Sequence, residues 1–423
     1  MRVPVLLSTI RPALLRQPSP SHLSCLTTSH LTHNATPRNT HPLFKKQSFL
    51  HPGTTFCRGT SFHHSTRMSL SAIKQALDAA IQQVEAARKP ASAQAWEPDK
   101  PHEQAFYAFD DKAQTWRVAE SNTSSETVTA TDANTQITKL ALFSWNIDFM
   151  LPHASPRMRA ALSELQTRIA GLPPTTAVVV FLQECVSSDL EDIGAAPWVR
   201  KGFVRTDLDS KNWASGLYGT TTLVDRRLKV GRVFRAHFEK TRMERDALFV
   251  DVCFPPARCE DMEGRERKDG KIIRLCNTHL ESLAQDPPYR PPQVALAAKF
   301  MKEESVHGAL LAGDLNAIQP FDRTLHTAHG LSDAYLSLGG VEDSDEGYTW
   351  GQQAAPELRR LYGCSRMDKV WFCGGVTVDK FARFGADVEV AEEDVRKEIV
   401  NWGGFEKGWV TDHLGVWAEV RVV

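Results

Sequence analysis

The stretch Leu310-Leu311-Ala312-Gly313-Asp314-Leu315-Asn316 constrains this chain more than any other. An apolar run stopped by glycine predicts a buried strand that ends in a tight turn. Side chains alternate along a strand, so Asp314 and Asn316 emerge on one face at its C-terminal end. In α/β proteins that rim is where chemistry collects. A plainer alternative is that both side chains only satisfy turn backbone groups.

Other apolar runs end in the same polar theme. Ser144-Trp145-Asn146-Ile147-Asp148 closes a strand expected over 140–145, and Gln183-Glu184 closes one over 177–182. Asn277-Thr278-His279-Leu280-Glu281-Ser282 follows a strand over 272–277. Arg366-Met367-Asp368 opens another, and Thr411-Asp412-His413 lies just inside the last, over 410–423. Each piece alone reads equally well as a turn amide, a surface acid or a satisfied core histidine. Six arriving in this order at strand ends point to one site.

These residue types suit metal-assisted cleavage of a phosphodiester. Mg²⁺ prefers hard oxygen ligands, keeps several waters and takes one or two carboxylates, which Asp148 and Glu184 supply. Asp314 is placed as general base for the attacking water. Asn146 and Asn316 orient water and phosphate, while His279 and His413 stabilise charge building on the phosphoryl oxygens. Asp368 holds the His413 ring. No Cys or Ser stands where a covalent intermediate needs it, so direct water attack is expected.

Charge narrows the partners. No acid precedes Asp78, while nine of the 50 basic residues do; the remaining 41 face 51 acids, leaving −10. So acidic a body is not a general nucleic-acid coat, and contact with DNA would be local. The eight cysteines form no CxxC pair and read as reduced thiols. No apolar run approaches the ~18–20 residues of a membrane span, so a soluble body with no membrane partner is expected; a monomer is expected as well.

Residues 1–67, rich in Ser, Thr, His, Pro and Arg, have the composition of a mitochondrial transit segment, and a tail with no address is the alternative. Translation from Met68 would remove it and give a nuclear or cytosolic product. An amphipathic helix is expected over 71–88, then a hairpin from 105–109 and 115–118, and a Ser/Thr/Asn-rich loop over 119–136. Together with the leader, these make three expected divisions: 1–67, 68–138 and a catalytic domain over 139–423. Within the last, helices are expected over 158–169 and 293–304, further strands over 217–224 and 247–254, and a solvated charged loop over 260–270.

The ordered set over 139–423 resembles the endonuclease/exonuclease/phosphatase (DNase I-like) superfamily. That resemblance implies an α/β fold, a four-layer sandwich of two central mixed β-sheets flanked by helices. Within it, Trp145-Asn146-Ile147-Asp148, His279-Leu280-Glu281-Ser282 with Arg290 and Gln293, Tyr348-Thr349-Trp350, and the segment 366–372 resemble the type 2 (5′-)tyrosyl-DNA phosphodiesterases. It implies metal binding by Asp148 and Glu184, with Mn²⁺ able to replace Mg²⁺, and catalysis by Asn146, Asp314 and His413. His279, Ser282 and Asn316 are implied to contact phosphate or the DNA end, Tyr218 and Trp350 to shape the groove. Arg290 and Asp412 complete the expected substrate set, and the partner is a DNA 5′ end carrying a tyrosine or peptide. The chain departs from the pattern at Phe149, where glycine is common, and at Ala317-Ile318, where Leu and a DNA-contacting Arg are usual. Alternatives within the superfamily are an abasic endonuclease, an oligoadenylate phosphodiesterase or deadenylase, and a small-molecule phosphatase. A non-catalytic domain that has kept the fold is the alternative of another class.

Overall fold

The computed structural model describes residues 82, 86–87, 96–119, 136–254 and 270–423. The leader, nearly all of the 71–88 helix, most of the 119–136 loop and all but Gly270 of the charged loop lie outside them.

Two mixed sheets form the centre. One runs β1 (Pro101–Glu103), β8 (Lys229–His237), β9 (Asp246–Phe254), β10 (Lys271–Thr278), β11 (Gly308–Asp314), β13 (Asp368–Gly374) and β12 (Ser332–Asp333). The other runs β14 (Val376–Phe384), β15 (Gly415–Val422), β4 (Lys139–Asn146), β5 (Thr176–Cys185), β7 (Gly219–Asp225), β6 (Phe203–Arg205), β2 (Tyr107–Asp110) and β3 (Thr115–Val118). The hairpin of β2 and β3 is therefore an edge of the second sheet, paired through β2 to β6.

Strand periodicity explains the layers. Leu140 and Leu142 of β4 face the core between the sheets, with Val250, Leu275 and Leu310 from the opposite sheet. Ala141, Phe143 and Trp145 of the same strand face outward, against Met158, Ala161, Leu162 and Leu165 of α1 (Ala154–Ala170). Both faces are covered, which is why these strands read as unbroken apolar runs. On the far side Val294, Ala297, Ala298 and Met301 of α2 (Arg290–Met301) cover Cys276, Ala309 and Leu311. Both helices space their apolar residues three and four apart, one stripe per helix. Helix, sheet, sheet and helix make four layers.

Each sheet has one parallel pair. β4 lies parallel to β5 with α1 between them in sequence, and β10 lies parallel to β11 with α2 between them. Parallel strands need such crossovers, and crossovers bring the C-terminal ends of both strands to one edge. Gln183 Nε2 donates to Asn277 Oδ1 at 2.8 Å, tying the sheets together beside that edge. Among the described residues no helix is long and apolar enough to cross a membrane.

Candidate active site

The four parallel strand ends deliver Asn146, Glu184, His279 and Asp314 to one place. The backbone is bent there at a cost: Asp148, Glu184 and Asn316 have φ of 59°, 57° and 47°, each worth about 1–3 kcal/mol for a residue with a side chain. Glu184 sits in an irregularity of the β5–β7 pairing, which re-aims its side chain. Gly313 explains itself: a Cβ there would lie 1.7 Å from the Thr278 carbonyl oxygen.

Asp314 is the hub. Asn146 Nδ2 donates to Asp314 Oδ2 at 2.9 Å and to Glu184 Oε1 at 3.2 Å. His279 Nε2 lies 3.3 Å and His413 Nε2 3.8 Å from the same Asp314 oxygen. All five side chains are buried. Asn316 donates its backbone N–H to Asp314 Oδ1 and its Nδ2 to the Leu280 carbonyl, closing the loop onto the carboxylate.

The two histidines carry different charge. Arg245 Nη1 meets His279 Nδ1. A guanidinium only donates, so Nδ1 accepts, and the hydrogen sits on Nε2, aimed at Asp314. Burial, then the Arg245 charge, pushes His279 down to about 4, so it is neutral. His413 behaves oppositely. Burial opposes its charge, yet Asp368, Asp314 and Asp412 outweigh it and raise the imidazole to about 9. Asp368 Oδ2 accepts from His413 Nδ1 at 2.8 Å, and burial lifts the Asp368 carboxyl to about 6. Between those values the two form an ion pair. Asp368 stands opposite Asp314 in the β11–β13 register, and its N–H donates to Thr349 Oγ1.

Among the described residues, potential metal-ligating groups gather twice within 4.8 Å: Glu184, His279 and Asp314, and Asp314, Asp368 and His413. His279 carries its hydrogen on the inward nitrogen and has no lone pair to offer there. The donors left around Glu184 are carboxylate oxygens, the hard set that Mg²⁺ takes. The residues fit that cation.

Residues 143–413 match the model of the Endonuclease/Exonuclease/phosphatase family. The chain belongs to that family. Membership supports a hydrolase of phosphoester bonds. Comparison with curated proteins returns no match. Among solved structures it is similar to D. rerio TDP2 complexed with single-strand DNA product, at 20% identity over 67% of this chain and 99% of that one, TM-score 0.49. Truncated Caenorhabditis elegans TDP2 matches at 19%, covering 67% and 98%, TM-score 0.47. The catalytic domain of human nocturnin with bound sulfate matches at 13%, covering 68% and 96%, TM-score 0.45.

Several expected residues of this family member sit differently from their sequence-based roles. Trp350 is 1% exposed, packs with Ala354, Leu358 and Met367, and donates Nε1 to Asp412 Oδ2 at 2.7 Å. It orients Asp412 instead of lining a groove, because its ring is enclosed. Asp412 in turn lies 3.7 Å from His413 Nε2. Arg290 is equally enclosed: all five donors go to Asp322, Gln319 and the carbonyls of Glu281 and Leu283. It braces the loop after His279 and has no hydrogen left for phosphate. Asp148 Oδ1 accepts the Met150 N–H and stands in neither ligand cluster among the described residues. Tyr218 is buried, its hydroxyl donating to the Met243 carbonyl and its ring 5.1 Å from the Arg245 guanidinium. Ser282 accepts from Arg245 Nη2 at 3.1 Å. Arg245 itself was not legible in the sequence: Glu244-Arg245-Asp246 before a strand looks like any charged turn.

Proposed function

We propose that this protein is a Mg²⁺-dependent phosphodiesterase that hydrolyses a 5′-phosphotyrosyl bond at a DNA end, by direct attack of water. The observation that carries the reading is the convergence of Asn146, His279 and His413 on one oxygen of Asp314. Asp314 takes the proton of the attacking water while Asn146 fixes its carboxylate. The water oxygen bonds to phosphorus and the bond to the tyrosine oxygen breaks. A phenol has a pKa near 10, so it departs as phenolate and takes its proton from solvent. His413, charged and held by Asp368, donates to a non-bridging oxygen as negative charge grows there, and neutral His279 offers its Nε2–H to another. Glu184 would hold the metal ion, which when bound supplies positive charge beside the phosphate.

The choice of an aromatic leaving group is supported by a chain of contacts: Phe149 stacks on Tyr218, whose ring lies by the Arg245 guanidinium, and Arg245 meets His279. The acidic body favours an end over a long duplex. Repair of such ends in mitochondria, through residues 1–67, and in the nucleus, from Met68, is part of the proposal. A panel of 5′-tyrosyl oligonucleotide, abasic duplex and oligoadenylate at equal concentration tests it. The tyrosyl substrate should be cut fastest, giving a 5′-phosphate and tyrosine. Faster cleavage of either other substrate would overturn the substrate and leave the phosphodiesterase.

A further inference from the structure

We propose that Phe149 is a substrate-binding residue whose half-buried ring receives the aromatic leaving group and selects aryl over alkyl esters. The inference rests on the phosphodiesterase reading above and names the residue that sets its leaving-group preference.

Phe149 is held close to the chemistry by its backbone. Its N–H donates to Glu184 Oε2 at 3.1 Å, and the next N–H, of Met150, donates to Asp148 Oδ1 at 3.0 Å. Asp148, at φ 59°, turns the chain so that these bonds form. The backbone of Phe149 is therefore fixed against the Glu184 carboxylate.

The ring stacks on Tyr218, with centroids 4.2 Å apart and planes 27° from parallel. Tyr218 cannot itself serve as the platform. It is 3% exposed, its hydroxyl is tied to Met243, and the Arg245 guanidinium lies 5.1 Å from its ring. Phe149 is the ring of this stack left partly open. Phe143 and Phe181 of the neighbouring strands, by contrast, are buried. Stacked rings gain from offset π contact, whereas an alkyl group meets the same surface with dispersion alone. The open ring thus adds to the discrimination that leaving-group acidity already gives, since a phenolate leaves more readily than an alkoxide.

The test compares the full-length wild type with Phe149→Leu and Phe149→Trp on two esters of thymidine 5′-phosphate, one p-nitrophenyl and one methyl. Leucine keeps apolar bulk and removes the π face; tryptophan keeps the face. The readout is the aryl-to-methyl ratio of kcat/KM, in which general damage to the site cancels. The ratio should fall about 3- to 10-fold in Phe149→Leu, the range of one aromatic contact, and hold or rise in Phe149→Trp. Equal losses on both esters, or a ratio unchanged in Phe149→Leu, would overturn the role of Phe149 while leaving the phosphodiesterase standing. Wild-type protein that cleaves neither ester nor the 5′-tyrosyl oligonucleotide would overturn both.

Discussion

Asn146 Nδ2 donates to Asp314 Oδ2 across 2.9 Å, joining the end of a strand in one sheet to the end of a strand in the other. The same amide reaches Glu184, so one neutral donor separates two buried carboxylates. Asn146→Ala removes it. The expected loss is about 10²–10³-fold in kcat, comparable to deleting one preorganised electrostatic group. Stability should fall by about 1–3 kcal/mol, the cost of a buried polar partner left unsatisfied. Steady-state kinetics beside a melting curve check both, and an unchanged kcat would remove Asn146 from the mechanism.

The Asp368–His413 pair gives a pH dependence with a definite sign. The active form has His413 charged, so activity is present below about 9 and declines as pH rises through that value. Asp368→Asn keeps an acceptor for Nδ1 and removes the negative charge. The His413 pKa then drops by about 1–3 units, and the alkaline limb of the rate profile moves to lower pH. A limb that stays in place would show that another group titrates there.

Glu184 gives a test that needs no turnover. Mg²⁺ bound to the folded state raises the melting temperature with its concentration, as any ligand selective for that state does. Wild-type protein should show this rise, and Glu184→Gln should show it at much higher Mg²⁺ or not at all. An identical dependence in both proteins would place the ion elsewhere.

The strand ends were legible because both sheet faces are covered. The apolar runs over 140–143 and 309–312 have the unbroken pattern of strands buried on both faces, and the polar residues that stop them sit at an edge. β8 was not legible. Arg232 and Arg235 interrupt its apolar alternation, and Arg235 is tolerated inside only because Asp207 and Asp246, from other segments, hold it at 3.0 and 2.9 Å. Trp350 and Arg290 fail for a related reason. Sequence gives their chemistry, whereas enclosure depends on what packs over them: Met367 and Leu358 for one, Asp322 and loop carbonyls for the other. Arg245 gains its role from a histidine 34 positions away, a pairing no local pattern announces.

Residues 1–67 carry the address in this account. Fused to a fluorescent reporter they should direct it to mitochondria, while protein starting at Met68 should be nuclear or cytosolic and keep its activity. A reporter that stays diffuse would remove the mitochondrial half of the proposal.

Attack of water at phosphorus, with Asp314 as its base, can be followed by oxygen tracing. A 5′-tyrosyl oligonucleotide is cleaved in H₂¹⁸O by excess enzyme in a single turnover, and both products are weighed by mass spectrometry. One ¹⁸O is expected in the 5′-phosphate and none in tyrosine, with the labelled product appearing about 10²–10⁴-fold more slowly in Asp314→Asn. Label in the tyrosine, a phosphate unlabelled after the first turnover, or an Asp314→Asn rate equal to wild type would contradict it.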